Sequence, residues 1–466
     1  MENQLKSHLH RTLKIENKTV LGLDVSKADV CCHILTEYPS PNPEDYWHKM
    51  SRKSADNFPR FYSEKPKKGT RGCRTVIDFC HYLEKHRPDC AVIEPTGVHY
   101  SRLWSTILDA FDIKVLWVSH SALSSFRRTC GFSSDTKNDL IDALALAAYP
   151  FDKSKLLANG EIDERKYLIA QPGAITRLRE LTQWLNHLVR IQSPIINHVR
   201  QCLSWQFPEC AKGRGAGLFP FLGDVPEFAT PRSVKTYRTK YSKSIAHQFD
   251  IKLDEMTKMQ SKWLCEIHGF ELEIEREIEE ILKAPEFEPY IRILDQFYFP
   301  LRTKARLLTR IYPFESFLLP EGKVWRVKQM KEVKADRKKM VDGKEVLLFR
   351  KGDFKRTSRN FTRDKFKMRL GLGKKAEDSG DSKSRKSSGS TLIRNGLYLY
   401  VAGSVVNKNL PVNSITKELM DYSDELRSMV DTNGYVLLKK NHANHKVMAK
   451  IGHLLYKEFV KEFAMS

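Results

Sequence analysis

An α/β domain followed by a mostly helical remainder is the fold class this sequence predicts, and three observations predict it. The first 150 residues alternate short β-branched runs with amphipathic stretches, the pattern of a mixed sheet layered with helices. Beyond residue 173, leucines and isoleucines recur at steps of three, four and seven, as packed helices require. The chain of 466 residues is about three times a usual single-domain length, so several domains are expected.

Val20 opens VLGLDVSKADVCCHIL, two β-branched runs around a short turn, read as the first two strands. A Pro-rich stretch, YPSPNPEDYW, and a basic loop at Lys67–Gly72 follow. CRTVIDFCHYLEKH then has helical spacing, DCAVIEP is a short buried strand, VHYSRLWSTILDAF a helix and IKVLWV a strand. SHSALSSFRR reads as a helix opened by a serine cap, and DLIDALALAAY as the next. This sets the boundaries at a 1–19 tail, a 20–150 α/β domain and a 151–172 linker.

Leu178, Leu181, Leu185, Leu188, Ile195 and Val199 form a heptad seam that Pro194 is expected to break. Ile267, Phe270, Ile274, Ile278 and Ile281 repeat the device, so 173–298 reads as a coiled-coil or helical arm. The two helices make either an intramolecular hairpin or a dimer seam. The aromatic- and Pro-rich text around Trp205–Pro231 is expected to bend the chain between them, within an arm that carries an insertion. Residues 299–466 form the last domain, with a hairpin-like basic insertion near 320–365 turning at Asp342-Gly343. A serine-rich loop, EDSGDSKSRKSSGS, precedes an apolar helix, and a final amphipathic helix ends at Ala464.

Hydrophobic residues make up 41% and aromatics 10%, enough for folded cores. No apolar run approaches the roughly 18 residues a membrane helix needs, and the opening segment is too polar for a signal peptide. Membrane and secreted functions are thereby excluded from the expectation, which is cytoplasmic. The nine cysteines include no CxxC, so reduced thiols are expected rather than a disulfide framework or zinc cage. Net charge is +22, and residues 321–390 hold 23 Lys/Arg against 10 Asp/Glu, which points to a polyanionic partner such as nucleic acid.

Four carboxylates stand out against that basic background. Asp24 ends the first strand, Glu94 ends AVIE, and Asp139 and Asp142 lie three apart on one helix face. Hard divalent ions take oxygen ligands, and two such ions about 4 Å apart can hold both oxygens of a phosphoryl transfer. Any one of these acids alone would equally serve as a helix cap or surface charge.

GLDVSK, EPTGVHYSRLW and KNDLIDALALA together resemble the N-terminal DEDD domain of a family of bacterial insertion-sequence transposases. These are relatives of the pilin-gene invertases, and members are known as bridge-RNA-guided recombinases. The chain departs from the family pattern at Asn138, usually Thr, and at Pro95; both departures leave the acids intact. LRELTQWLNHLVRIQSPIINHVRQCLSWQFPE resembles the helical segment that follows in the family. RLGLGKKAEDSGDSKSRKSSGSTLIRNGLYLYVAG resembles its C-terminal motif, with Ser390 in place of Asn and Arg394 matching. FYFPLRTKARLLTRIYPFESF lacks the glycines of the family's helix-hairpin-helix.

The resemblance implies a RuvC-like, ribonuclease-H-type domain, a coiled-coil arm and a small, mostly helical C-terminal transposase domain. It implies Mg2+ held by Asp24, Glu94, Asp139 and Asp142, and a catalytic serine at Ser379. Lys374, Lys375, Lys383, Arg385, Lys386 and Arg394 would then contact nucleic-acid phosphates. The expected partners are donor and target double-stranded DNA, a structured non-coding guide RNA, and further copies of the chain as a dimer or tetramer, at the nucleoid. Two alternatives stand beside this: a RuvC-like structure-selective endonuclease using the acids alone, and a nucleic-acid-binding protein with a dead site.

Overall fold

A computed structural model describes residues 13–64, 73–95, 100–132, 138–163, 166–168, 173–213, 215–319, 321–333, 336–341, 344–350, 352–379, 382–429 and 437–465. The chain divides into two compact units, residues 1–171 and 172–466. The first is mixed α/β and the second is mostly helical with small β-ribbons. Among the described residues, no helix is long and apolar enough to cross a membrane.

The first unit is built on a six-stranded sheet of order β4-β3-β2-β1-β5-β6. Its strands are β1 (Val20–Val25), β2 (Asp29–Leu35), β3 (Arg60–Tyr62), β4 (Arg74–Thr75), β5 (Cys90–Ile93) and β6 (Lys114–Trp117). β2 runs antiparallel to β1 and β3, whereas β5 is parallel to β1 and β6, and β4 to β3. Only β2 is reversed. β1 is buried on both faces, which is why VLGLDV is almost continuously apolar.

Helices α1 (Pro43–Met50), α2 (Val76–His86), α3 (Tyr100–Ala110), α4 (His120–Thr129) and α5 (Asp139–Ala148) cover the sheet. Ser119 caps α4 by accepting from the Ala122 amide, as the sequence predicts. α5 lies over β1 with its alanines buried, and Gly22 makes the close approach possible: a Cβ there would sit 2.9 Å from the Ala147 Cβ. Residues 151–163 and 166–168, expected as a linker, pack onto this unit instead, with Ile162 and Tyr167 in its core.

In the second unit, α6 (Gly173–Gln206) and α9 (Glu255–Leu282) form an intramolecular pair. Leu178, Leu181 and Leu185 on α6 share a core with Ile274, Ile278 and Leu282 on α9, so this seam is closed within the chain. Two expectations are corrected. α6 runs straight through Pro194, whose exposed position lets packing on either side hold the helix. Phe270 is 57% exposed, because the buried stripe of α9 runs through Glu271, Ile274 and Ile278 instead.

Between these helices, α7 (Leu218–Leu222) and α8 (Pro231–Ser242) close over a core of their own containing Leu203, Phe207, Leu218 and Leu264. Below, α10 (Glu288–Asp295) and α11 (Leu301–Ile311) lead into two paired ribbons, β7 (Arg326–Glu332) with β10 (Phe354–Asn360) and β8 (Arg337–Val341) with β9 (Lys344–Phe349). The β8–β9 register closes on 342–343, where the turn was expected; those two residues lie outside the described part. α12 (Phe361–Arg369) follows, then β11 (Gly373–Ser379) and β12 (Ser382–Ser388). The segment expected as a serine-rich loop is thus an antiparallel pair of strands. α13 (Thr391–Tyr400), α14 (Ser414–Ser428) and α15 (Lys440–Phe463) complete the unit, around a core that includes Phe314, Phe366, Leu397 and Phe459.

Candidate functional site: acids at the ends of two parallel strands

The register of the sheet places the first two acids. Leu23 pairs with Ile93, so the next residues, Asp24 and Glu94, leave the carboxyl ends of two neighbouring parallel strands. In open sheets with parallel strands, this is the edge at which ligands bind. Asp24 also stands opposite Cys31, and Cys31 opposite Arg60, so one cross-strand row runs Asp24, Cys31, Arg60 on one face.

α5 brings the remaining acids to that end of the sheet. Asn138 caps the helix by accepting from the Leu140 amide at 3.0 Å. Asparagine is among the residues that cap helices best. Asp139 and Asp142 occupy the first turn, where the helix dipole favours negative charge. Asp139 reaches Arg60, whose guanidinium donates to it at 2.8 Å and to Asp29 at 2.9 Å. Asp142 is buried, at 3% exposure, and is paired with Arg127 of α4. Glu94 is paired with His120 Nδ1, at the opening of the same helix.

The thiol of Cys31 lies buried among these charges. Burial above all pushes it up to about 12; Arg60 opposes the shift, and Asp24, Asp139 and Asp29 reinforce it. Cys31 is therefore held as a neutral thiol and is no nucleophile. The same fields show that Asp24 and Asp139 both act on this one buried atom.

The donor set is entirely carboxylate, which suits a hard divalent cation; Mg2+ needs only one or two protein carboxylates beside water and phosphate oxygens. Among the described residues, no group of three or more His, Cys, Asp and Glu is gathered at metal-ligand geometry. The partners found at the acids are Arg60, Arg127 and His120. Sequence reasoning missed these three residues and Asp29. Each is joined to its acid only by the fold, across 15 to 79 residues for Arg60, Arg127 and His120, and no spacing marks them.

Ser379 lies in the second unit, at the last paired position of β11, opposite Ser382. Lys374, Lys375, Lys383, Arg385 and Lys386 lie on the same two strands; their side chains, like that of Ser379, are outside the described part. Arg394 is committed to structure: it donates to the Gly371 carbonyl and to the Thr391 hydroxyl, both at 3.2 Å, and so ties α13 to the entry of the hairpin.

No family model matches the chain, and no characterised protein matches it.

Proposed function

We propose that this protein is the DNA recombinase of a mobile element, a transposase directed by a structured non-coding RNA, which breaks and rejoins strands through a serine. The observation that carries the reading is the placement of Asp24 and Glu94 on adjacent carboxyl ends of parallel β1 and β5, with α5 delivering Asp139 and Asp142 over Gly22. The strand order β3-β2-β1-β5-β6 with β2 alone reversed supports a RuvC-like, ribonuclease-H-type reading of the first unit. The paired α6 and α9 support the coiled-coil arm, and the helical body after residue 288 supports the transposase domain.

In this reading Asp24, Glu94, Asp139 and Asp142 hold Mg2+, which when bound supplies charge neutralisation at phosphate oxygens. The Ser379 hydroxyl oxygen attacks a phosphodiester phosphorus. An Oγ–P bond forms, one P–O bond to deoxyribose breaks, and the departing oxygen takes up a proton. A hydroxyl of the exchanged strand then displaces the serine, restoring a phosphodiester without a nucleoside triphosphate. Donor and target duplexes, a guide RNA and a dimer or tetramer of the chain at the nucleoid complete the proposal.

The test uses a duplex substrate with the co-purified RNA and scores covalent protein–DNA adduct, cleavage and strand exchange. Ser379→Ala and Asp24→Ala should each abolish the adduct and exchange while leaving nucleic-acid binding intact. A Ser379→Ala protein that still cleaves, beside an Asp24→Ala protein that does not, would replace this reading with that of a structure-selective endonuclease.

A further inference from the structure

We propose that the β7–β10 ribbon is a binding arm for duplex DNA, seated in the major groove. The inference rests on the nucleic-acid reading of the chain, though not on its serine chemistry.

The ribbon has the wrong composition to exist for its own sake. All seven residues of β7 are exposed, and β10 is exposed or half-buried along its length. A two-stranded ribbon with no covered face is at best marginally stable in water. Its fourteen residues carry six Lys/Arg (Arg326, Lys328, Lys331, Lys355, Arg356 and Arg359) against one acid, Glu332. Lys331 and Lys355 stand directly opposite each other, a cross-strand like-charge pair in which the Lys355 ammonium also rests 5.2 Å from the Phe349 ring and which an anion laid against it would relieve. The pleat puts Lys328 and Arg356 on one face and Lys331, Lys355 and Arg359 on the other; Arg359 is paired with Asp364 at the base, and lysines or arginines still stand on both faces.

Its base, by contrast, is firmly built. Trp325 stacks on Phe361 at 4.6 Å, and its amide donates to the buried Thr362 hydroxyl at 2.9 Å. Asn360 caps α12 and donates to the Tyr456 hydroxyl of α15, each at 2.9 Å. The fold thus anchors the two ends and leaves the charged length in solvent. Exposed Met330 and Phe354 share the Lys328–Arg356 face, giving it apolar contacts of the kind that base edges accept.

A ligand for this arm must be anionic along a line and must reach both faces at once. The B-form major groove, about 12 Å wide, admits a two-stranded ribbon with phosphates on either side. The A-form major groove of duplex RNA is too narrow for it. Duplex DNA is therefore the partner the geometry favours.

The full-length protein is titrated by fluorescence anisotropy against a 30-base-pair DNA duplex and the matching RNA duplex, over roughly 50–200 mM salt. Lys328→Gln/Lys331→Gln/Arg356→Gln is compared with Lys235→Gln/Lys252→Gln/Lys262→Gln, which removes the same charge from exposed sites outside the ribbon. The arm variant should bind DNA at least tenfold more weakly near 100 mM salt, with the salt slope reduced by about 2 to 3, since each phosphate contact contributes about 0.9. The control should lose no more than threefold. The melting temperature of the arm variant should not fall, because the arm residues are exposed and Lys331→Gln removes a repulsion. Equal losses in both variants, or a loss confined to the RNA duplex, overturn the arm. Wild-type protein that binds neither duplex overturns both the arm and the proposed function. A selective DNA defect in a protein that forms no serine adduct upholds the arm and removes only the serine reading.

Discussion

Gly22→Ala tests how the acids are held together, and its effect follows from the packing of α5 on β1. The added Cβ would lie 2.9 Å from the Ala147 Cβ, and closer still to the Ala143 carbonyl oxygen and the Ala147 amide nitrogen. Carbon atoms pack at about 3.5–4.0 Å, so α5 must retreat by on the order of 1 Å. The obstructing atoms are backbone and an alanine, which have no rotamer to yield. Overpacking of this kind costs about 1–3 kcal/mol, and for a unit of this size each kcal/mol lowers the melting temperature by about 2–4 °C. The same retreat carries Asp139 and Asp142 away from Asp24, and a misplacement near 1 Å can cost about 100-fold in rate. Calorimetry on the full chain reads the first effect, and the second is read, under the proposed function, as the rate of adduct formation on duplex DNA. Ala147→Gly placed on top of Gly22→Ala removes the Cβ–Cβ clash but leaves the carbonyl one, so it should restore part of each loss. A Gly22→Ala protein whose melting point moves by less than about 1 °C, with an unchanged rate, refutes the packing argument.

Other consequences are open to measurement. Arg127→Met strands Asp142 as an unpaired buried carboxylate and should cost about 3–5 kcal/mol in denaturant unfolding of the first unit; a cost below about 1 kcal/mol would mean that the pair is hydrated. Buried His33, stacked on Phe58 at 4.4 Å with Nδ1 2.7 Å from the Asn57 carbonyl oxygen, is held by burial down to about 4, against 6.5 for a free histidine. Its contribution to stability is therefore complete above pH 6.5 and is lost as the pH falls to 4, by about 3 kcal/mol at 1.36 kcal/mol per unit. His33→Gln should flatten that part of the pH–stability curve, and a slope identical to wild type would exclude His33 as its source.

What was legible in the sequence follows from which physical signals are local. The GLDVSK strand, the Ser119 and Asn138 caps and the Leu178–Leu185 seam each depend on residues a few positions apart, and each is found where periodicity or capping chemistry puts it. The 373–388 hairpin gave no such signal: its text is almost wholly Lys, Arg, Ser and acidic residues, with no period-2 apolar pattern to mark a strand, and it is defined by its backbone pairing. Pro194 misled for the opposite reason, since a local helix breaker is outweighed by leucines packed against α9. The site divides along the same line. Its acids were visible because they end strands or open a helix, whereas Arg60 and Arg127 meet them only through the fold. Charge pairing leaves no period in a sequence. An acidic cluster recognised from motifs is therefore only half described until its counter-cations are known, and here those counter-cations decide how firmly each acid is held: Asp142 is sealed with Arg127 in the interior, while Asp139 shares a half-exposed Arg60 with Asp29. Between these two acids of α5, Asp139 is accordingly the one that can exchange its partner at lower cost, and Asp142 the one whose loss should be felt first in folding.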